Sequence, residues 1–142
     1  MSAKYYVGLD SGGTKTEVAV LATDGSWITG CFSGPILMHV VEIPESTIQL
    51  VRGAIDAALG PAKIGWEQVA RFGFGMSGID FEDDIPIQRR TLFAGLGIDP
   101  ARATLVNDGV IALWGGTPKK RAVILQLGTA FTAAYRNGLG AE

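Results

Sequence analysis

Three strand-like runs separated by short polar turns occupy the first 33 residues, and this arrangement restricts the chain to few folds. The runs span residues 4–9, 16–21 and 27–32, and they are rich in β-branched, aromatic and aliphatic residues. The turn before the third run contains the pair Asp24-Gly25, which hairpin turns favour. Because such short connections join antiparallel neighbours, we expect three consecutive antiparallel strands at the start of the fold.

Helical and strand-like segments alternate through the rest of the chain. Within residues 44–61, apolar side chains recur at spacings of three and four, which predicts an amphipathic helix that stops at Gly60-Pro61. These apolar positions are Ile48, Val51, Ile55 and Leu59. A second helix is predicted over residues 85–96, closing at Gly97, and a brief third helix over residues 110–114. Further strands are predicted at residues 69–76, 103–106, 121–127 and 131–136.

The predicted element order is therefore βββ-α-β-α-β-α-β-β. Antiparallel strands followed by crossover helices are typical of an α/β domain with a mixed sheet, in which strands 1–3 are antiparallel and helices cover both faces. The run RAVILQL, residues 121–127, has the continuous apolar character of a fully buried strand.

The composition is that of one packed domain, without a strongly basic surface that would bind nucleic acid or an anionic membrane. The 142 residues are 47% apolar and 18% charged, and the net charge is only −2. Basic residues are scattered apart from residues 119–121, so neither nucleic acid nor an anionic membrane is an expected partner. The single cysteine, Cys31, cannot form an internal disulfide, and the first residues lack a signal-peptide pattern. We therefore expect a cytoplasmic protein.

The stretch LDSGGTKTEVAV, residues 9–20, has two interpretations. It is either an ordinary hairpin turn or an anion-binding turn whose backbone N–H groups reach phosphate oxygens. Gly12 and Gly13 can adopt positive φ and present no side chain, Thr14 adds a hydroxyl and Lys15 a charge. Asp10 would share such a turn with phosphate only through a divalent cation.

The hexapeptide GFGMSG, residues 73–78, matches the dinucleotide-binding spacing, but its context argues against that function. That motif needs a helix N-terminus aimed at the pyrophosphate, whereas the segment IDFEDDIP follows here and brings four carboxylates. Three strands and a helix also precede it. No P-loop motif is present.

Two later stretches favour the anion-binding interpretation. Asp108 in LVNDGV directly follows a buried strand, where parallel sheets present catalytic groups, although alone it is better explained as a cap for the next helix. In ILQLGTAF a second buried strand runs into the turn Gly128-Thr129. Two turns that follow strands and could bind phosphate, with a carboxylate between them, are consistent with one binding site.

Taken together, these stretches resemble the sugar-kinase, actin and Hsp70 ATPase superfamily, and within it the group of N-acetylglucosamine kinases and BadF/BadG/BcrA/BcrD-type ATPases. GLDSGGTKTEVAVL and LQLGTAFTAAYRNG are similar to its two phosphate motifs, GMSGIDFED to its substrate-side loop, and LVNDGVIAL to the segment with the catalytic aspartate. The resemblance covers nearly the whole chain. It implies a ribonuclease H-like, actin-like ATPase fold and an ATP-dependent phosphotransferase that acts on a small-molecule sugar, an amino sugar in the nearest group.

The resemblance also implies a nucleotide site for ATP and Mg²⁺. Asp10 would organise the Mg²⁺ and its waters, and Lys15 lies beside it in the same motif. The β- and γ-phosphates would be held from one side by Gly12, Gly13 and Thr14, and from the other by Gly128 and Thr129.

On the acceptor side, the resemblance implies that Asp108 takes the proton from the attacking sugar hydroxyl. Ser77, Gly78 and Asp80 are its candidate sugar contacts, and Asp80 could equally begin a solvated acidic turn. Two stretches depart from the family pattern. Ala130 and Phe131 replace a Gly-Ser pair of the second phosphate motif, and the segment FSGPILMH lacks the asparagine that binds sugar in amino-sugar kinases.

The adenosine-binding motif is also absent, so the resemblance implies that residues 1–142 are a single N-terminal lobe without its C-terminal lobe. Such a lobe is expected to be inactive alone, to expose an apolar patch and to be able to form a homodimer. Two other functions are open. One is an activator ATPase of an acyl-CoA dehydratase or reductase, which would need cysteine ligands for an iron-sulfur cluster. The other is a sugar- or nucleotide-sensing regulator that has lost catalysis.

Overall fold

A five-stranded mixed sheet forms the centre of the structure, a computed structural model that describes residues 4–38, 41–127 and 131–138. Its strands are β1 (Tyr5–Ser11), β2 (Thr16–Ala22), β3 (Trp27–Ser33), β4 (Val69–Met76) and β5 (Ala103–Asn107), in the spatial order β3-β2-β1-β4-β5. Strands β1, β2 and β3 pair antiparallel, whereas β4 is parallel to β1 and β5 is parallel to β4. The prediction of three antiparallel strands at the start is confirmed.

Three α-helices cover the sheet: α1 (Glu45–Leu59), α2 (Ile85–Leu96) and α3 (Asp108–Gly116). Helices α1 and α2 share one face, where the main core lies; there the ring of Phe74 in β4 packs 5.9 Å from that of Phe93 in α2. The next residue of β4, Gly75, points to the opposite face, and a β-carbon on it would overlap Ile111 of α3. Because neighbouring strand residues alternate between faces, α3 covers the second face, as predicted.

The last two strands do not join this sheet. Strands β6 (Arg121–Leu127) and β7 (Phe131–Asn137) form a separate antiparallel pair, in which alternate residues face α3 and the others face outward. The predicted burial of RAVILQL on both faces is wrong, since Val123, Leu125 and Leu127 are 69%, 63% and 85% exposed. The physical reason is that α3 packs against one side of the strand pair only, so the apolar side chains on the other side face outward.

Cys31 occupies a structural position in β3. Its Sγ donates a hydrogen bond to the backbone oxygen of Ala54 at 3.3 Å, and partial burial raises the pKa of its thiol. Among the helices of the described ranges, none combines the length and apolar character that crossing a bilayer requires.

Candidate active site at the carboxyl ends of the parallel strands

The turn between β1 and β2 is held from beneath by a pair of buried hydroxyl groups. Ser11 and Thr16, which bracket the turn, are both fully buried, and their hydroxyl oxygens lie 2.6 Å apart. The Ser11 hydroxyl donates to the backbone oxygen of Ile36 at 2.7 Å and accepts the Ile36 N–H at 3.1 Å, so Thr16 is the donor within the pair. A hydrogen bond from Gly12 N to Lys15 O, at 3.1 Å, closes the turn. The two ends of the turn are therefore held in place by hydrogen bonds, and the glycines between them leave the backbone uncovered by side chains.

Positive φ is not what the two glycines of this turn supply. Among the described residues, the glycines with positive φ are Gly25, Gly78, Gly97 and Gly138. Glycine at positions 12 and 13 therefore matters because it leaves the backbone accessible, and the expected left-handed conformation is not used.

Two other loops meet the end of β1. The N–H of Ser77, just after β4, donates to the backbone oxygen of Ser11 at 2.8 Å. The N–H of Met38, in the segment that follows β3, donates in turn to the oxygen of Ser77 at 3.0 Å. The predicted substrate-side loop is thus attached directly to the first predicted phosphate turn, and Gly78 makes its bend with a φ of 91°.

The start of α3 brings Asp108 to the same place. Asn107, the last residue of β5, is the N-cap, and its Oδ1 accepts the N–H of Gly109 at 2.8 Å. Asp108 is the first helical residue, so the prediction of Asp108 as the cap is corrected by one position, although its Oδ1 accepts the same N–H at 2.9 Å. Its Oδ2 lies 3.8 Å from the point that a β-carbon on Gly12 would occupy. The carboxylate consequently faces the β1–β2 turn.

Asp80 also reaches this cluster, through a residue that the sequence motifs did not single out for a role. The Nδ2 of Asn107 donates to Asp80 Oδ1 at 3.1 Å and to the backbone oxygen of Ile79 at 3.3 Å. The signal that could have identified Asn107 is its place at the carboxyl end of a parallel strand, directly before the predicted base.

Two carboxylates of the cluster, Asp10 and Asp108, have raised pKa values. Burial, then the Asp108 carboxylate and then Glu17 raise the pKa of Asp10, while Lys15 opposes them. Burial also raises the pKa of Asp108, with a further contribution from Asp80, and the hydrogen bond from the Gly109 N–H partly offsets the shift. Carboxylates that are close together and partly desolvated form a favourable place for a cation or for proton transfer.

Lys15 forms an ion pair beside the turn. Its Nζ forms an ion pair with Glu17 at 3.1 Å and lies 5.0 Å from the ring centre of Phe32, over the face of β2 and β3. The side chains of this ion pair are 61% and 45% exposed. Thr14 lies beside Lys15 in the exposed part of the turn.

Gly128 and Thr129, the predicted second phosphate turn, lie outside the described residues, as does His39. The strand residues that flank this turn are described. Gln126 Oε1 and Thr132 Cγ2 each lie 3.3 Å from the point that a β-carbon on Gly109 would occupy. The ends of β6 and β7 therefore meet the N-terminus of α3. Phe131, which departs from the family pattern, is 66% exposed on the outer face of the strand pair, away from α3.

The donors present fit a hydrated Mg²⁺ better than a metal held by protein alone. Across the described ranges there is no group of three or more His, Cys, Asp or Glu side chains that could hold a metal ion. Mg²⁺ in nucleotide sites takes one or two carboxylates, and phosphate oxygens and water complete its shell. Asp10, whose pKa is raised by burial and then by the neighbouring Asp108 carboxylate, is suited to that role.

Comparison with solved structures identifies the fold. A protein from Chromobacterium violaceum assigned as an N-acetylglucosamine kinase superimposes with a TM-score of 0.68 at 22% identity, over 100% of this chain and 51% of that one. A ROK family glucokinase from Streptomyces griseus, in complex with glucose and AMPPNP, gives 0.67 at 19% identity, over 94% of this chain and 45% of that one. The fold is therefore the ribonuclease H-like fold of the actin-like sugar kinases, as the sequence predicted.

Within that class, the chain belongs to the BadF/BadG/BcrA/BcrD ATPase family, whose model matches residues 7–137. Among curated proteins, the N-acetylmuramic acid/N-acetylglucosamine kinase of Clostridium acetobutylicum is 28% identical over 137 residues, which are 96% of this chain and 44% of that protein. The chain thus spans about half the length of the relatives that it matches.

Proposed function

We propose that this chain is the N-terminal lobe of an ATP-dependent kinase that transfers the γ-phosphate to a hydroxyl group of a sugar. The observation that carries the proposal is the position of Asp108, whose carboxylate faces the bare turn at Gly12. A proton acceptor next to a phosphate-binding turn is what phosphoryl transfer to an alcohol requires. The same assignment is supported by membership of the BadF/BadG/BcrA/BcrD ATPase family and by the similarity to a curated sugar kinase.

In this proposal, Asp108 accepts the proton of the acceptor hydroxyl while that oxygen forms its bond to the γ-phosphorus and the bond from the phosphorus to ADP breaks. Gly12 leaves the backbone uncovered so that the phosphates can approach, the backbone N–H of Gly13 and the Thr14 hydroxyl bind phosphate oxygens, and Asp10 would hold the hydrated Mg²⁺. Mg²⁺, when bound, neutralises charge that develops on the phosphates. Gly128 and Thr129 bind the phosphates from the side of β6 and β7.

The acceptor side of the site is formed by the loop of Ser77, Gly78 and Asp80. In the segment after β3, the side chains of Ile36 and Met38 are apolar and buried in the core, so they offer no hydrogen bond to an acceptor. An amino sugar is nonetheless the acceptor to test first, because the Clostridium acetobutylicum relative is named as a kinase of two such sugars.

The full activity is expected to need more protein than these residues. The chain covers only 44% of its curated relative, and one apolar face of β6 and β7 is exposed. We propose that a second lobe covers this face and completes the nucleotide site, and that residues 1–142 alone turn over little ATP. The activator ATPase gains no support from Cys31, since this cysteine is hydrogen-bonded to Ala54 within the domain.

The test is an assay of the full-length protein that contains this chain. Purified protein with ATP and Mg²⁺ is incubated with N-acetylglucosamine, N-acetylmuramic acid or glucose, and ADP release and the phosphorylated sugar are both measured. A stoichiometric sugar phosphate supports the proposal. ATP hydrolysis that no sugar stimulates, with no phosphorylated product, contradicts it.

A further inference from the structure

Asn107 joins two parts of the chain that are far apart in sequence. Its Oδ1 accepts the N–H of Gly109 at the start of α3, while its Nδ2 donates to Asp80 and to the backbone oxygen of Ile79. Ile79 is buried, so this side of the loop is anchored in the core. One side-chain amide therefore connects the loop after β4 with the helix that carries Asp108.

The orientation of this amide is fixed by its partners. A backbone N–H can only be met by the oxygen of the amide, and a carboxylate and a carbonyl can only be met by its nitrogen. Both N–H bonds of Nδ2 are accordingly directed at acceptors in the protein. A ligand could use this amide only if one of these hydrogen bonds broke, which argues against Asn107 as a direct sugar contact.

We propose that Asn107 is a positioning residue, which clamps the loop of Asp80 to the N-terminus of α3 and so fixes the acceptor site relative to Asp108. This inference rests on the proposed function for its effect on catalysis. The hydrogen bond to a charged carboxylate is of the stronger kind, and a small displacement of such a loop is enough to weaken the binding of an acceptor.

The variant that isolates the clamp is Asn107→Asp. Aspartate caps a helix as well as asparagine does, so the hydrogen bond to Gly109 is retained, but the donor to Asp80 is replaced by a repelling carboxylate. In the full-length protein we expect faster hydrogen exchange in residues 77–84 and unchanged exchange in α3. Kinetically, we expect acceptor KM to rise about tenfold, with kcat within about threefold and ATP KM unchanged.

The double variant Asn107→Asp/Asp80→Asn reverses the polarity of the hydrogen bond without changing the net charge. In the double variant we expect hydrogen exchange of the loop to be slow again. We also expect its acceptor KM to be lower than that of Asp80→Asn alone, so that most of the increase is reversed. Asn107→Ser, which also caps but cannot donate to both partners, is a second clamp-breaking variant. Asp83→Asn, a change at an exposed position of the same loop, is the matched control and should leave loop exchange unchanged.

Two results would overturn the clamp. One is loop hydrogen exchange in both Asn107→Asp and Asn107→Ser that equals that of the unchanged protein. The other is loop hydrogen exchange in the double variant that is as fast as in Asn107→Asp. These outcomes are separable from the proposed kinase function. If no sugar is phosphorylated but the exchange pattern follows the cycle of variants, the clamp stands and the function is wrong. If sugar is phosphorylated and neither variant changes loop exchange, the clamp is wrong and the function stands.

Discussion

The carboxylate of Asp108 faces the backbone of Gly12, with Oδ2 at 3.8 Å from the place of an added β-carbon. The two residues are 96 positions apart in sequence, and the parallel arrangement of β1, β4 and β5 brings them to one edge of the sheet. This edge is where open α/β sheets bind ligands.

Gly12→Ala should weaken ATP binding without unfolding the protein. A distance of 3.8 Å is ordinary contact, so a methyl group fits, but it occupies the space that a phosphate needs between the turn and Asp108. We expect ATP KM to rise at least about tenfold, because phosphate oxygens approach backbone N–H groups to about 3 Å. The matched control is Gly8→Ala in β1, the strand that precedes the turn, where an added β-carbon meets nothing within 4 Å. Equal ATP KM values for the two variants would contradict the phosphate turn.

Asp108→Asn should lower kcat of the full-length protein at least about a hundredfold, since general base catalysis contributes about 10²–10⁴-fold. Asparagine can still accept the N–H of Gly109, so the start of α3 should be kept. The control is Asp99→Asn, which alters a carboxylate that accepts the N–H of Ala101 at 2.9 Å and lies outside the site. A rate like that of the unchanged enzyme in Asp108→Asn would exclude it as the base.

The acidic limb of the pH profile should lie above the usual range of an aspartate. Burial and the Asp80 carboxylate raise the pKa of Asp108, and only its charged form can accept a proton. Acceptor kcat/KM should therefore fall as pH drops through this raised pKa. In Asp80→Asn the limb should move to lower pH, because one repelling charge is gone. A shift to higher pH would mean that another group controls the limb.

Asp10→Asn should stabilise the protein at neutral pH. Because its pKa is raised in the folded state, the folded protein binds the proton more tightly than the unfolded chain, and stability falls as pH rises above the usual value of 3.8. Asparagine has no charge and so lacks this loss of stability at higher pH. The melting temperature of the variant should therefore be higher than that of the parent at pH 7, and the two should converge below pH 3.8.

Asp24→Asn provides a control of opposite sign. Hydrogen bonds from Ser26 lower the pKa of Asp24, so its contribution to stability is present at neutral pH and is lost as pH falls through that lowered pKa. Asp24→Asn should therefore not raise the melting temperature at pH 7. Stabilisation of equal size in both variants would show that the effect at Asp10 is not electrostatic.

Gly75→Ala should displace α3 and with it Asp108. The added β-carbon overlaps the side chain of Ile111, and overpacking of this kind costs about 1–3 kcal/mol in the free energy of unfolding. Urea titration would measure the loss. Gly73→Ala in the same strand meets nothing within 4 Å and should be close to the parent. The double variant Gly75→Ala/Ile111→Ala should be more stable than Gly75→Ala; if it is less stable, the overlap is not the cause.

The order of elements was predictable because local patterns decide it. Helix α2, for example, ends at Gly97 with a φ of 69°, the left-handed cap that its glycine predicted. The separation of β6 and β7 from the main sheet was not predictable. Their apolar pattern specifies that both faces are to be covered but does not specify by what, and the pairing of a strand depends on contacts with residues distant in sequence.

The candidate residues of the site could be chosen from the sequence, but the contacts between them could not. Asp10 and Asp108 stand out because each carboxylate lies at the end of an apolar strand, close to a glycine, whereas the hydrogen bond from Asn107 to Asp80 joins residues distant in sequence and is seen only in the structure. Lys15 is a second example. Its place in the motif does not reveal that its Nζ pairs with the carboxylate of Glu17 in β2.

The hydroxyl pair of Ser11 and Thr16 determines when the order of the first turn is established. Because both side chains are buried and hydrogen-bonded, the turn takes its shape during folding and not upon encounter with a ligand. A loop that becomes ordered upon binding subtracts its conformational entropy from the affinity. An anion that binds to this turn meets groups that are already in place, so no entropy cost of ordering the turn is subtracted from its affinity.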